Sequence, residues 1–189
     1  KKYYMGDTDM NLKKFKLTNF RKFKNNNNEV NFVLTNNFSD EGVNIAPVTT
    51  LIIGQNNGGK TTIIEALKRV INGIALKAED FNFDYLNEFL TNYKEYITNG
   101  DKEKKISVPV IEFELTIEIS TESDDLLTNI IPMLTIGDLD CNDLNIKIKW
   151  EVKDEEIFFQ KVKELFEKNY DEDRVFSKFL ETINKIDFK

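Results

Sequence analysis

The sequence predicts an α/β fold: a lobe built on a mixed sheet, with an antiparallel β meander and a C-terminal helical hairpin. Three observations carry that expectation. The run Gly54-Gln55-Asn56-Asn57-Gly58-Gly59-Lys60-Thr61 fills the pattern G-x-x-x-x-G-K-[ST] between the apolar residues 48–53 and a helix-periodic stretch from Ile63. Apolar and polar residues alternate with a period of two in several short segments. From Asp154 the apolar period becomes that of a helix.

Phe15 and Leu17 alternate with Lys14, Lys16 and Thr18, which predicts a half-buried first strand running into Asn19-Phe20-Arg21-Lys22-Phe23. Val30, Phe32 and Leu34 repeat the pattern, and the intervening Asn25-Asn26-Asn27-Asn28 reads as a hairpin connection, so the two strands should pair antiparallel. A third strand ending at Ile53 is more uniformly apolar, as suits a strand covered on both faces. In the next helix Ile63, Ile64, Leu67, Val70, Ile71 and Ile74 recur at three and four residues, with Glu65, Lys68 and Arg69 elsewhere. Tyr85, Phe89, Tyr93 and Ile97 are spaced by four and predict a short surface helix, closed by Asn99-Gly100, whose aromatic stripe reads as core and not as a ligand cage. Residues 110–119 expose mostly Glu and residues 146–152 mostly Lys, so antiparallel pairing would set opposite charges across from one another. Leu126 to Leu134, broken by Pro132, reads as a short helix and turn. Ile157, Phe158, Val162, Leu165 and Phe166 then share one helical face; Asp171 caps a second helix with Val175, Phe176, Phe179, Leu180 and Ile183 inward.

The loop pattern has a chemical reason. Nucleotide phosphates concentrate negative charge, and binding them takes several N–H donors at one point with no side chains in the way. Gly54 lets the chain turn out of the strand, Gly58 and Gly59 allow close backbone approach, and the following helix presents its unpaired N–H groups and positive dipole end. Lys60 adds a point charge for the β and γ oxygens, Thr61 a hydroxyl suited to Mg²⁺, and Thr62 a further donor. A Gly/Asn-rich turn without a ligand would account for the glycines but not for Lys-Thr at a helix start. At average composition the four fixed positions match by chance in a chain of this length with a probability of about 0.01.

Composition narrows the function classes. The chain has 189 residues, enough for one ordinary domain, and a formal net charge of −7, which argues against a uniformly basic nucleic-acid-binding surface. Lys13, Lys14, Lys16, Arg21, Lys22 and Lys24 form a local basic stretch that reads first as a solvated strand face. With no histidine there is no imidazole base or histidine metal ligand, so a metal must be held by oxygen. A lone Cys141 forms no internal disulfide, which together with the lack of any membrane-length apolar run points to a cytoplasmic setting and no membrane partner. The start Lys1-Lys2-Tyr3-Tyr4 lacks methionine, and residues 1–10 are expected to be an extension or a remnant ahead of the lobe proper, with Met5 or Met10 a candidate start.

Three features together resemble the ABC-type ATPase heads of the SMC, RecF and OLD families. Leu17-Thr18-Asn19-Phe20-Arg21-Lys22-Phe23 is similar to their "I-x-N-F-R-S-F" start, a second strand follows, and the phosphate loop comes some thirty residues later. Gly54 to Thr62 is similar to the "G-x-N-N-x-G-K-T-x" form common in OLD-like ATPases, and Ala78-Glu79-Asp80-Phe81 before an alternating strand is also OLD-like. The resemblance implies that residues 11–153 are the N-terminal lobe of a P-loop ATPase head, a fragment of something larger, with residues 154–189 leading into the remainder. It implies ATP and Mg²⁺ as ligands, held by Gly54, Asn57, Gly58, Gly59, Lys60, Thr61 and Thr62, with Arg21 near the phosphates or base and Mg²⁺ on Thr61. Asp80 would take the metal-proximal role of a Q-loop glutamine, although an aspartate capping a helix explains it equally well.

Hydrolysis in such heads needs an Asp-Glu pair after a second apolar strand. Met133-Leu134-Thr135-Ile136-Gly137-Asp138 is too short, follows Pro132 and lacks the glutamate. The catalytic residues are therefore unknown within this chain and expected beyond Lys189. The resemblance implies an ATP-binding head that pairs with a second head and regulates a DNA-directed effector such as a nuclease. Its alternatives are a RecF or SMC-type DNA-repair head, or a nucleotide-binding module without hydrolysis.

Overall fold

The computed structural model describes residues 10–25, 28–32, 51–56, 58–100, 106–119, 143–168 and 170–189. In chain order they form β1 (Met10–Thr18), β2 (Asn28–Asn31), α1 (Lys60–Asn72), a 3-10 turn (Ala78–Asp80), α2 (Phe83–Asn99), β3 (Val110–Ile119), β4 (Asp143–Glu151), α3 (Glu155–Glu167) and α4 (Glu172–Ile183). The strands make a sheet in the order β2-β1-β3-β4. The chain falls into two compact units, one of Lys1–Lys16, Glu29–Ile53 and Glu114–Lys147, the other of Leu17–Asn28, Gly54–Phe113 and Ile148–Lys189.

The sheet is antiparallel, and side-chain pairs fix its register. Glu112 meets Lys149 at 3.3 Å, Glu114 meets Lys147 at 3.2 Å, and Thr116 bonds Asn145 at 2.8 Å, so partner numbers fall by two as the others rise by two. The charge complementarity of the two alternating segments is thus realised across β3 and β4. In the first unit Glu114 also accepts from Lys16 on β1 at 3.2 Å. Partial burial pushes the Glu114 carboxyl up, but hydrogen bonds from Lys147 and Lys16 outweigh it and hold the group below the usual carboxylate range.

The basic N-terminal stretch is largely paired. Lys13 bonds both oxygens of Asp143 at 2.8 Å, which raises its pKa, Lys14 lies 3.5 Å from Glu29, and Lys24 lies 2.6 Å from Glu88. A lysine row facing carboxylates is a solvated sheet face with little charge left over for a polyanion.

The second unit is organised by aromatic rings. Phe89 and Tyr93 of α2, Phe158 of α3 and Phe179 of α4 are all buried, with ring centroids of Phe89 and Phe179 5.7 Å apart and of Phe89 and Phe158 5.7 Å apart. The stripe expected on a short surface helix therefore lies on a 17-residue helix whose aromatic face is core. Gly100 closes it in a left-handed conformation, φ 64°. Asp154 and Asp171 accept from the N–H groups of Ile157 and Arg174 and cap α3 and α4, the expected hairpin. Ile157, expected inward, is instead about half exposed, because α3 turns Phe158, Val162 and Leu165 to the core. The C-terminal residues return along β4: Glu151 and Lys189 exchange backbone hydrogen bonds at 3.0 and 3.2 Å, and Phe188 stacks on Trp150 with centroids 3.8 Å apart.

One expectation is not met among the described residues. The third strand was to end at Ile53, but Leu51–Ile53 belongs to no strand, and Leu51 and Ile53 are 76% and 82% exposed. An apolar strand forms where neighbouring ladders satisfy its backbone groups, and none of the four described strands pairs with it. The described sheet is accordingly antiparallel and not mixed. The helix and turn expected between residues 126 and 134 lie outside the described residues.

Candidate phosphate-binding site

Residues 54–56 and 58–62 run from a turn into a helix, as the pattern requires. Gly58 donates to the Gln55 carbonyl at 3.1 Å, closing the turn, and Gly59 is the N-cap of α1 with φ 92°. That conformation belongs to glycine, and space demands glycine too: a Cβ at Gly59 would sit 2.8 Å from the Phe23 ring. At Gly58 it would sit 3.0 Å from the Gln55 carbonyl oxygen. Gly54 has neither constraint: a Cβ there would meet nothing within 4 Å, and its φ is not positive.

The start of α1 is built for an anion. No side chain caps it and no acid stands in its first turn, so the leading N–H groups and the dipole's positive end are left uncompensated. The Lys60 ammonium is held by the carbonyls of Gly54 and Gln55 at 2.5 and 2.7 Å. An ammonium has three donors, so one remains for a further acceptor. Thr61 is exposed and Thr62 is buried. Asn57 lies outside the described residues.

Arg21 and Asp80, expected separately at the nucleotide and the metal, are paired with each other. Arg21 donates to Asp80 Oδ1 from Nε at 3.0 Å and Nη2 at 2.9 Å, and its backbone N–H donates to the Asp80 carbonyl at 2.8 Å. Arg69 of α1 approaches the same carboxylate, 3.1 Å from Oδ2, and the Lys77 N–H donates to Oδ2 at 3.1 Å. Asp80 is fully buried, so both its oxygens are occupied by cations and an amide. Two residues beyond those expected from the sequence thus join the site. Phe23 packs on Gly59, and Arg69 grips Asp80. Phe23 stands in the Asn-Phe-Arg-Lys-Phe run; a lone arginine near a helix end carries no comparable signal.

The fit to nucleotide and magnesium divides accordingly. The uncapped helix start with Lys60 suits a phosphate chain. Among the described residues no cluster of three or more Asp, Glu or Cys side chains offers a ready metal cage, so a magnesium ion here would take its oxygens from Thr61, phosphate and water.

Residues 10–189 match the family described as AAA ATPase domain, a class of nucleotide-dependent proteins to which the chain belongs. A curated relative is 45% identical over 188 residues, the endonuclease GajA of Bacillus cereus (strain HuB5-5); the match covers 95% of this chain and 27% of that protein. No solved structure matches the chain. Among the described residues no helix is long and apolar enough to cross a membrane.

Proposed function

We propose that this chain is the Mg-ATP-binding lobe of an OLD-like ATPase head, and that ATP binding with pairing of two heads governs a DNA-directed nuclease in a longer protein. The single observation behind the ATP site is the start of α1: a left-handed glycine N-cap, no side-chain cap, no acid in the first turn, and Lys60 anchored across the loop carbonyls. Gly54, Gly58, Gly59, Lys60 and Thr62 cradle the phosphates, with Asn57 beside them, and Thr61 offers its hydroxyl to Mg²⁺. The nuclease link is supported by the relative, named as an endonuclease, of which this chain matches about a quarter.

Hydrolysis is a separate matter, since phosphates can be cradled without a base to orient water. Calorimetry with Mg-ATP, run beside a phosphate-release assay, separates binder from enzyme. We expect saturable binding that Lys60→Ala weakens at least about tenfold, the loss of one charge-assisted contact to phosphate. Equal affinity in wild type and Lys60→Ala would sink the assignment.

A further inference from the structure

Helix α1 is gripped at two places by one short segment. At its start Phe23 lies against Gly59, where an added Cβ would meet ring atoms at 2.8, 3.4 and 3.5 Å. About two and a half turns beyond the helix start, Arg69 reaches Asp80, which Arg21, two residues before Phe23, also grips. Gly59, Phe23, Arg21, Asp80 and Arg69 therefore close a ring of contacts through the helix itself.

The segment from Asn19 to Asn25 is held firmly enough to serve as that grip. Asn19, Arg21 and Asn25 all have positive φ, at 60°, 48° and 63°, which non-glycine residues keep only where surroundings over-determine them. The surroundings do so: the Asn19 amide donates to the Val110 carbonyl at 3.0 Å, the Asn82 N–H to the Asn19 carbonyl at 2.9 Å, and the Asn82 amide to the Arg21 carbonyl at 2.6 Å. The Phe23 N–H donates to Phe20, whose fully buried ring meets Phe113 edge-on at 5.3 Å. Asp80 is equally fixed, since its buried carboxylate accepts from Arg21, Arg69 and the Lys77 N–H, and a buried carboxylate is costly to leave without such partners.

We propose that Phe23 and the Arg21–Asp80–Arg69 triad are positioning residues for the phosphate loop, setting where the N–H groups of Gly59 to Thr62 stand, and that Asp80 is this anchor and not a metal ligand. The proposal rests on the ATP-binding reading above. Phe23 acts as a stop behind Gly59, and the triad fixes the rotation and height of α1 that the stop presupposes. Their part is to act through the backbone of α1 and the loop, in place of contacts of their own to phosphate.

The test is ATP affinity by calorimetry for Phe23→Ala, Phe23→Leu, Asp80→Asn and Arg69→Lys, each measured well below its own melting temperature, once with Mg²⁺ and once with EDTA. An anchor predicts that Phe23→Ala, Asp80→Asn and Arg69→Lys each weaken binding about tenfold, by the same factor with and without metal, because the loss lies in N–H placement. Phe23→Leu, which keeps an apolar stop, should recover most of the Phe23→Ala loss. If Asp80→Asn fails to fold, Arg69→Lys and the Phe23 pair carry the same comparison. A defect of Asp80→Asn confined to Mg²⁺, or wild-type affinity in Phe23→Ala and Arg69→Lys, overturns the proposal while leaving the ATP site standing. Absence of ATP binding in the wild type overturns both readings.

Discussion

Glycines of one motif do different work at the level of single residues. Gly59 sits at φ 92° with the Phe23 ring where a Cβ would go, whereas Gly54 faces open space without a positive φ. We expect Gly59→Ala to lose about 1–2 kcal/mol from the forced left-handed backbone and a further sum of about 1–3 kcal/mol from the overlap with Phe23. Gly54→Ala should stay within about 1 kcal/mol of wild type, with a small gain equally in keeping, since alanine restricts the unfolded chain. Urea unfolding of the two variants side by side checks the contrast, and equal losses would contradict it. Asp80 makes a related point. A carboxylate near a nucleotide motif invites a metal role, yet its oxygens here meet Arg21, Arg69 and the Lys77 amide.

Among elements, the sheet and the helices differ in how plainly residues announced them. Alternating Glu and Lys on β3 and β4 carried both face and partner, because period two and opposite charge are local properties of the sequence. The cap Asp171 is readable for the same reason, whereas Asp154 marks only the change of period until the structure shows it capping α3. The fate of Leu51 and Ile53 is not readable, since an apolar run says nothing of which strands are beside it. The aromatic stripe of α2, spaced by four, already reads as core; which rings of α3 and α4 cover it does not. In the site, the loop was legible down to Lys60, while the Arg69–Asp80 contact joins residues eleven apart whose meeting depends on how the chain turns at Gly73. A pH prediction belongs to the sheet. Glu114 has a folded pKa below its ordinary value of 4.5, so its stabilisation is complete above that value and disappears as pH falls through the lower folded pKa. The side chain is more than a third exposed, so each lysine pair contributes no more than about 0.2–1 kcal/mol. Glu114→Gln should therefore be less stable than wild type at neutral pH and equal to it in strong acid, below both pKa values, and a constant difference across that range would contradict the assignment.

For the whole molecule, the ring cluster of α2, α3 and α4 ties three helices of the second unit together. Phe179 is fully buried, 5.7 Å from the Phe89 ring and 6.2 Å from that of Phe158. Phe179→Ala should cost about 3–5 kcal/mol by removing the ring and leaving a cavity, read as a lower urea midpoint in far-UV circular dichroism; a shift worth less than about 1 kcal/mol would mean that the neighbours close the gap. The final residues add something different. Trp150 is the chain's single tryptophan, and Phe188 lies over it at 3.8 Å between centroids, tied down by the backbone exchange of Glu151 with Lys189. The molecule thus carries one built-in fluorophore where residues 187–189 are fastened to β4, and indole emission, with no label attached, reports whether that segment is seated or peeled away.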